Sequence, residues 1–213
     1  MDGKLRVLLT GFEKFGGEKV NPSALILKRI SKKRIENRII DFLILPVSYE
    51  KSIKILEEYY SKNKVDIVIH LGQAGGRVTI NIERVAVNVM DSIHPDNDEK
   101  IVENKKIIPN GEDAYMTKLN VKKIAEMLNK KKIPASVSYT AGQYICNEVY
   151  YYSLHNSSEK NNPKYVLFIH VPFLPEQVAD KYPKNSNIPS MSLQLQIKAV
   201  EEILKNIEQF LTE

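Results

Sequence analysis

Short apolar runs that stop at glycine or proline alternate along this chain with stretches of helical periodicity. Leu5–Thr10 ends at Gly11, Ile39–Leu45 at Pro46, and Val65–Leu71 at Gly72. Ala135–Tyr139 precedes Ala141-Gly142, and Tyr165–His170 runs into Val171-Pro172. Runs this apolar leave no face for water, so both faces of the sheet they form must be covered, as in parallel sheets. Between them lie helical stretches. One follows Asn21-Pro22, an N-cap with proline at the first helical position. Another starts at Ser48, with Ile53, Leu56 and Tyr60 on one face, and a third covers Asn120–Lys130. A fourth carries the only cysteine and runs to about His155, followed by a polar loop over Asn156–Lys164. The last is amphipathic from Leu193 to Leu211. Val78–Val89 reads as extended, and Met90–Thr117 shows neither period; long irregular segments in compact domains are functional or mobile. The expected fold class is α/β: a single domain over 1–213, built as a three-layer α/β/α sandwich with a twisted, mostly parallel sheet.

In such sheets the working residues gather at the carboxyl ends of the strands. Those ends read Thr10-Gly11, His70-Leu71-Gly72, Thr140-Ala141-Gly142 and His170-Val171-Pro172. The topology therefore brings the cysteine helix and His170 to one edge.

Several function classes drop out. No stretch reaches the roughly 20 apolar residues needed to cross a bilayer, and the first ten residues hold too short an apolar run for a secretory signal. One cysteine allows no intrachain disulfide, which suits a reducing, cytoplasmic setting. The net charge is +5, but the lysines are dispersed among glutamates and no nucleic-acid-binding pattern accompanies them. They read as solvated surface. No His or Cys pair has metal-ligand spacing. Gly11–Gly17 has the form GxxxxGG, yet Gly17 and Glu18 stand where a phosphate loop needs lysine and then a hydroxyl, so that motif fails.

Cys146 is the leading candidate for chemistry. A thiol at a helix N-terminus meets unpaired backbone N–H groups and the positive end of the helix dipole, both of which favour the nucleophilic thiolate. The alternative is a small buried hydrophobe. Of the four histidines, His170 is best placed as a base, ending a strand before a loop. His70 also ends a strand but could simply pack or hydrogen-bond there. His155 lies about 13 Å along the helix from Cys146, nearer the expected helix C-terminus, and His94 falls in the irregular segment. A third group would fix the imidazole tautomer; Glu83, Asp91 and Asp96 all qualify, and spacing does not choose among them. Phe12 and Phe15 either line a pocket at the end of the first strand or fold back into the core.

Four ordered blocks resemble the pyroglutamyl peptidase I (pyrrolidone-carboxylate peptidase) family nearly end to end. They are Thr10–Pro22, His70–Arg77 with Ile82–Asn88, Ser138–Asn147, and Phe168–Gln177 followed by Pro189-Ser-Met191. The resemblance implies a cytoplasmic cysteine peptidase that removes N-terminal pyroglutamate from peptides, without cofactor or metal, commonly as a homo-oligomer such as a homotetramer. It implies Cys146 as nucleophile, His170 as base and Glu83 as acidic partner, with Asp96 the other candidate. Phe12 and Phe15 match residues flanking the lactam ring, and Gln73 and Tyr144 match other substrate-binding positions. Lys14, where the family often has proline, and His94, where apolar residues are common, depart from the pattern.

Overall fold

The computed structural model describes residues 4–183 and 187–212; residues 1–3 at the head of the N-terminal stretch lie outside them. The chain opens with β1 (Leu5–Phe12), α1 (Pro22–Ile30), β2 (Arg38–Leu45), α2 (Tyr49–Lys62) and β3 (Ile67–Gln73). Short strands follow: β4 (Ile80–Glu83), β5 (Val85–Val87), β6 (Met90–Ser92), β7 (Val102–Lys105) and β8 (Ala114–Met116). The remainder is α3 (Val121–Lys130), β9 (Ala135–Ser138), α4 (Ile145–Lys160), β10 (Tyr165–Val171), α5 (Pro175–Ala179) and α6 (Leu193–Asn206), closed by a 3-10 turn at Ile207–Phe210.

Six strands form the main sheet in the order β2-β1-β3-β10-β4-β9. Every pairing is parallel except β10 with β4. The alternation of side chains along each strand divides the core in two. Val7 and Leu9 of β1, Ile67, Ile69 and Leu71 of β3, and Leu167, Ile169 and Val171 of β10 pack with α1, α3 and α6. Leu8, Phe12, Val68, Val166 and Phe168 face the other way, against α2 and α4. The result is the expected three-layer sandwich, and each helix stripe is buried because a sheet face lies beneath it.

Local chemistry sets the helix starts. Asn21 Oδ1 accepts from the Ser23 N–H at 3.0 Å, and the Ser23 hydroxyl accepts from the Phe12 N–H at 2.9 Å. This binds the start of α1 to the end of β1. Gly11 makes the approach possible: a Cβ there would sit 3.0 Å from the Ser23 backbone.

The boundaries differ from expectation in three places. α4 runs to Lys160 rather than to about His155. Its polar last turns are held by side-chain bonds: the Asn156 amide donates to Tyr152 O one turn back at 2.8 Å, and the Ser157 hydroxyl donates to Lys164 O beyond the helix at 2.9 Å. The helix stops at Asn161, which takes a left-handed conformation at φ 49°, as asparagine tolerates. The C-terminal helix breaks at Asn206 instead of continuing to Leu211. The irregular stretch 90–117 contains three short strands in two-stranded ribbons, β5 with β8 and β6 with β7. Too short to show a period, they were invisible to pattern reading.

Candidate active site

The face that meets α4 carries the imidazole and the carboxylate of interest. Period two in β10 puts Phe168 and His170 on the same side as Val166, toward α4. In β3 the same side carries His70 and Gly72, and Gly72 is the register partner of His170. In β4 it carries Asn81 and Glu83, Glu83 opposite Phe168 and Asn81 opposite His170. Glu83 is therefore the diagonal neighbour of His170, within reach of its ring.

That reach is used. His170 Nδ1 and Glu83 Oε1 are 2.8 Å apart, both residues buried. A carboxylate only accepts, so Nδ1 carries the proton and Nε2 presents its lone pair. Asp96 does something else. Its Oδ1 accepts from the N–H groups of Asp98 at 2.9 Å and Lys100 at 2.8 Å, and its Oδ2 from Tyr49 N–H at 3.2 Å. The carboxylate folds the 95–100 loop and ties it to the start of α2. Asp91, the third acidic candidate, is exposed in β6.

Cys146 is the second residue of α4. Its Sγ lies 2.9 Å from where a Cβ on Gly72 would stand, so the thiol sits over the glycine whose strand neighbour is His170. The start of α4 is pinned by Asn147, whose side chain donates to Val87 O at 2.8 Å and Val89 O at 3.0 Å and accepts from Val87 N–H at 3.0 Å. Tyr144, the N-cap, makes no side-chain cap bond.

The thiol's electrostatics depart from expectation. Burial, with the nearby Glu83 carboxylate second, pushes the Cys146 pKa up to about 12. Desolvation and a like-signed neighbour both oppose the thiolate.

The other histidines separate cleanly. His70 is fully buried, with Nδ1 2.7 Å from Thr10 Oγ1 and Nε2 2.9 Å from Ser153 Oγ. Burial lowers its pKa to about 3, so it is a neutral strut between β1, β3 and α4. His155 is not at a helix end; its ring stacks on Tyr151 and meets the Tyr115 hydroxyl at 3.1 Å. His94 is exposed. Among the described residues no group of three or more His, Cys, Asp or Glu side chains is placed to hold a metal.

A slot opens beside the sulfur. Phe12, Phe15, Asn21, Val47, Gln73, Tyr144, Ile145 and Cys146 line it. Phe12 serves as both core and wall: it is buried, and its ring centroid lies 6.5 Å from that of Phe168. Phe15 and Tyr144 are half-buried and tilt together at 6.3 Å. The irregular segment supplies the rim. Tyr144 OH donates to Pro95 O at 2.8 Å, and the Asn97 amide donates to Glu13 Oε1 at 2.8 Å and Lys14 O at 2.9 Å. The loop is thus held through its Lys14 carbonyl, whatever the side chain there.

Sequence reasoning missed Gly72, Phe168 and Asn147. Phe168 was findable, since period two places it beside His170, and their ring centroids lie 4.7 Å apart. Asn147 gave no signal apart from a short polar residue in a helix's first turn.

A thiol, an imidazole and a buried carboxylate at the carboxyl edge of an α/β sheet, beside an aromatic slot, make up the equipment of a thiol hydrolase. The chain belongs to the pyroglutamyl peptidase family, whose model matches residues 5–209. The pyrrolidone-carboxylate peptidase of Pyrococcus furiosus is 44% identical over 197 residues, covering 92% of this chain and 95% of that protein. That of Thermosipho africanus is 43% identical over 203 residues, covering 95% and 97%. The crystal structure of the pyrrolidone carboxyl peptidase from Fervidobacterium islandicum AW-1 superposes with a TM-score of 0.96 at 62% identity, over 98% of this chain and 100% of that one.

Proposed function

We propose that this protein is a cysteine exopeptidase that hydrolyses the amide bond after an N-terminal pyroglutamyl residue of peptides. The observation that carries the proposal is the joint placement of Cys146, a Glu83-held His170 and the Phe12–Phe15–Tyr144–Gln73 slot at one sheet edge. His170 Nε2 takes the thiol proton as Sγ bonds to the pyroglutamyl carbonyl carbon. Unpaired N–H groups in the first turn of α4 receive the oxyanion. The imidazolium then protonates the leaving amine as the C–N bond breaks, giving a thioester. Water, deprotonated by the same Nε2, cleaves the thioester and returns the thiol. Glu83 holds Nδ1–H throughout and stabilises the imidazolium. No cofactor enters any step.

Specificity follows from what the lactam lacks. Pyroglutamate has no ammonium group, so aromatic walls accept its flat ring and reject an ordinary charged N-terminus by desolvation. The slot is narrow, and half-buried Phe15 and Tyr144 stand at its wall.

The same proposal takes 1–213 as one peptidase domain working in a reducing cytoplasm as a homo-oligomer, up to a tetramer; light scattering tests the assembly. Among the described residues no helix is long and apolar enough to cross a membrane. The deciding experiment compares release of aminomethylcoumarin from pyroglutamyl and prolyl reporters by wild type and Cys146→Ser. Turnover of the pyroglutamyl reporter alone, lost in the variant with the fold intact, supports the proposal. Equal turnover of both reporters, or activity retained in Cys146→Ser, refutes it.

A further inference from the structure

Behind the slot lies a chain of amide groups whose polarity can be assigned without reference to any substrate. Gln177, buried in the short helix α5, has its side-chain oxygen 3.0 Å from the backbone N–H of Leu174. A backbone N–H can only donate, so the Gln177 atom facing it must be the oxygen and the opposite end must be the NH2 group. Two acceptor-only neighbours agree: Glu18 Oε2 at 2.9 Å and Val20 O at 3.3 Å face that NH2 group. The third atom it meets is Oε1 of Gln73, at 2.8 Å. Since the Gln177 nitrogen can only donate, the Gln73 atom it meets must be the oxygen. The remaining end of Gln73 is therefore its own NH2 group. That group makes no hydrogen bond among the described residues, and Gln73 lines the slot beside Cys146. The Glu18 carboxylate is itself paired with the Lys181 ammonium.

We propose that Gln177 is a positioning residue that fixes the Gln73 amide with its N–H donors toward the slot, and so makes the pocket selective for a ring that presents a carbonyl. This deepens the peptidase assignment and rests on it. The ring of a pyroglutamyl terminus offers one carbonyl oxygen, and the Gln73 NH2 group supplies its complement. A prolyl terminus has the same ring size but no such oxygen, and it would leave that donor without a partner on the ligand. The selection does not come from Gln73 alone. An isolated glutamine can turn its amide over and present either end; here a backbone N–H two links away removes that choice. The relay also joins the first loop, through Glu18 and Val20, to the strand end carrying Gln73, so the ring wall at Phe15 and the donor are set by the same side chain.

The test uses the full-length enzyme with the pyroglutamyl-coumarin reporter. Gln177→Met keeps volume and removes both hydrogen-bonding ends. The expected result is a KM raised about tenfold with kcat changed less than about threefold, the size of one uncharged hydrogen bond to a bound ligand. Gln73→Met should give the same shift, and the double variant should be no worse than either single one, because both break one relay. A structural role for Gln177 alone would lower the melting temperature and leave KM in place. If Gln177→Met does not fold, Gln73→Glu carries the polarity claim: an acceptor facing the ring carbonyl should raise KM at least about tenfold. An unchanged KM in Gln177→Met, additive effects in the double variant, or an unchanged KM in Gln73→Glu overturns the inference while wild-type turnover leaves the peptidase assignment standing. Absence of pyroglutamyl turnover by the wild type overturns both.

Discussion

Replacing Gly72 with alanine should disable the enzyme while leaving it folded. The added Cβ would lie 2.8 Å from Phe168 Cζ, 2.9 Å from Cys146 Sγ and 3.0 Å from Phe168 Cε1. Carbon atoms rest comfortably at about 3.5–4.0 Å, so each neighbour has to retreat by roughly 0.7–1 Å. Phe168 has nowhere to go. Its ring is boxed by His170 at 4.7 Å, Tyr150 at 5.6 Å, His70 at 5.9 Å and Phe12 at 6.5 Å. The sulfur yields instead, and it moves away from the strand that carries His170. A misplacement of about 1 Å at the reacting atom costs on the order of a hundredfold in rate. Overpacking of this kind destabilises by about 1–3 kcal/mol, which for a domain of this size lowers Tm by roughly 2–4 °C per kcal/mol. The expected outcome with the pyroglutamyl reporter is therefore kcat down about a hundredfold and KM little changed, since the ring walls are untouched. Thermal melting on the same sample separates lost chemistry from lost fold. A Gly72→Ala enzyme with kcat within about threefold of wild type would refute the placement of the thiol over this glycine.

Three further outcomes follow from the site. Glu83→Gln retains an acceptor for the His170 proton but removes the charge that stabilises the imidazolium, so kcat should fall by about 10²–10⁴; full activity would return Asp96 to consideration. Because burial pushes the Cys146 pKa up to about 12, iodoacetamide should alkylate the enzyme at a rate still rising with pH above the ordinary thiol range; a plateau already reached at pH 6 would show a preformed thiolate and contradict this. Glu148 is buried with an unpartnered Oε2, and burial chiefly raises its pKa from 4.5 to about 9, with Asp96 and Glu50 adding and Lys100 opposing. The folded state then holds a proton that the unfolded state gives up, so stability falls as pH rises from 4.5 to about 9. Glu148→Gln should abolish that slope, with a gain over wild type at pH 9 of up to about 6 kcal/mol; a Tm difference constant from pH 5 to pH 9 would refute it.

The alternation of apolar runs and helical stripes was enough to read the sandwich, because a strand without a wet face admits few architectures. It also placed His170, since strand ends are marked by the glycine and proline that follow. It could not choose Glu83 over Asp96. That choice depends on β4 lying antiparallel to β10, which sets Glu83 diagonal to His170, and an antiparallel member in a parallel sheet leaves no mark on local periodicity. The late end of α4 was hidden for a related reason: Asn156 and Ser157 look like loop residues until their side-chain partners at Tyr152 and Lys164 are known. The Gln177 relay was equally silent, because amide polarity is a property of neighbours, and those neighbours lie in three separate segments.

The thiol is where local reasoning and tertiary structure pull in opposite directions. A cysteine in the first turn of a helix suggests an ionised sulfur, and the helix start is indeed there. The same geometry buries the sulfur over Gly72 and within range of the Glu83 carboxylate, and both effects favour the proton. The helix end still has work to do. Its unpaired N–H groups stabilise whichever anion is closest, and once sulfur bonds to carbon that anion is the carbonyl oxygen. Under the proposed mechanism, a resting thiol beside the Glu83-held imidazole therefore draws on the helix field in the transition state, where it would accelerate the reaction, instead of in the ground state, where it would only stabilise the unreacted enzyme.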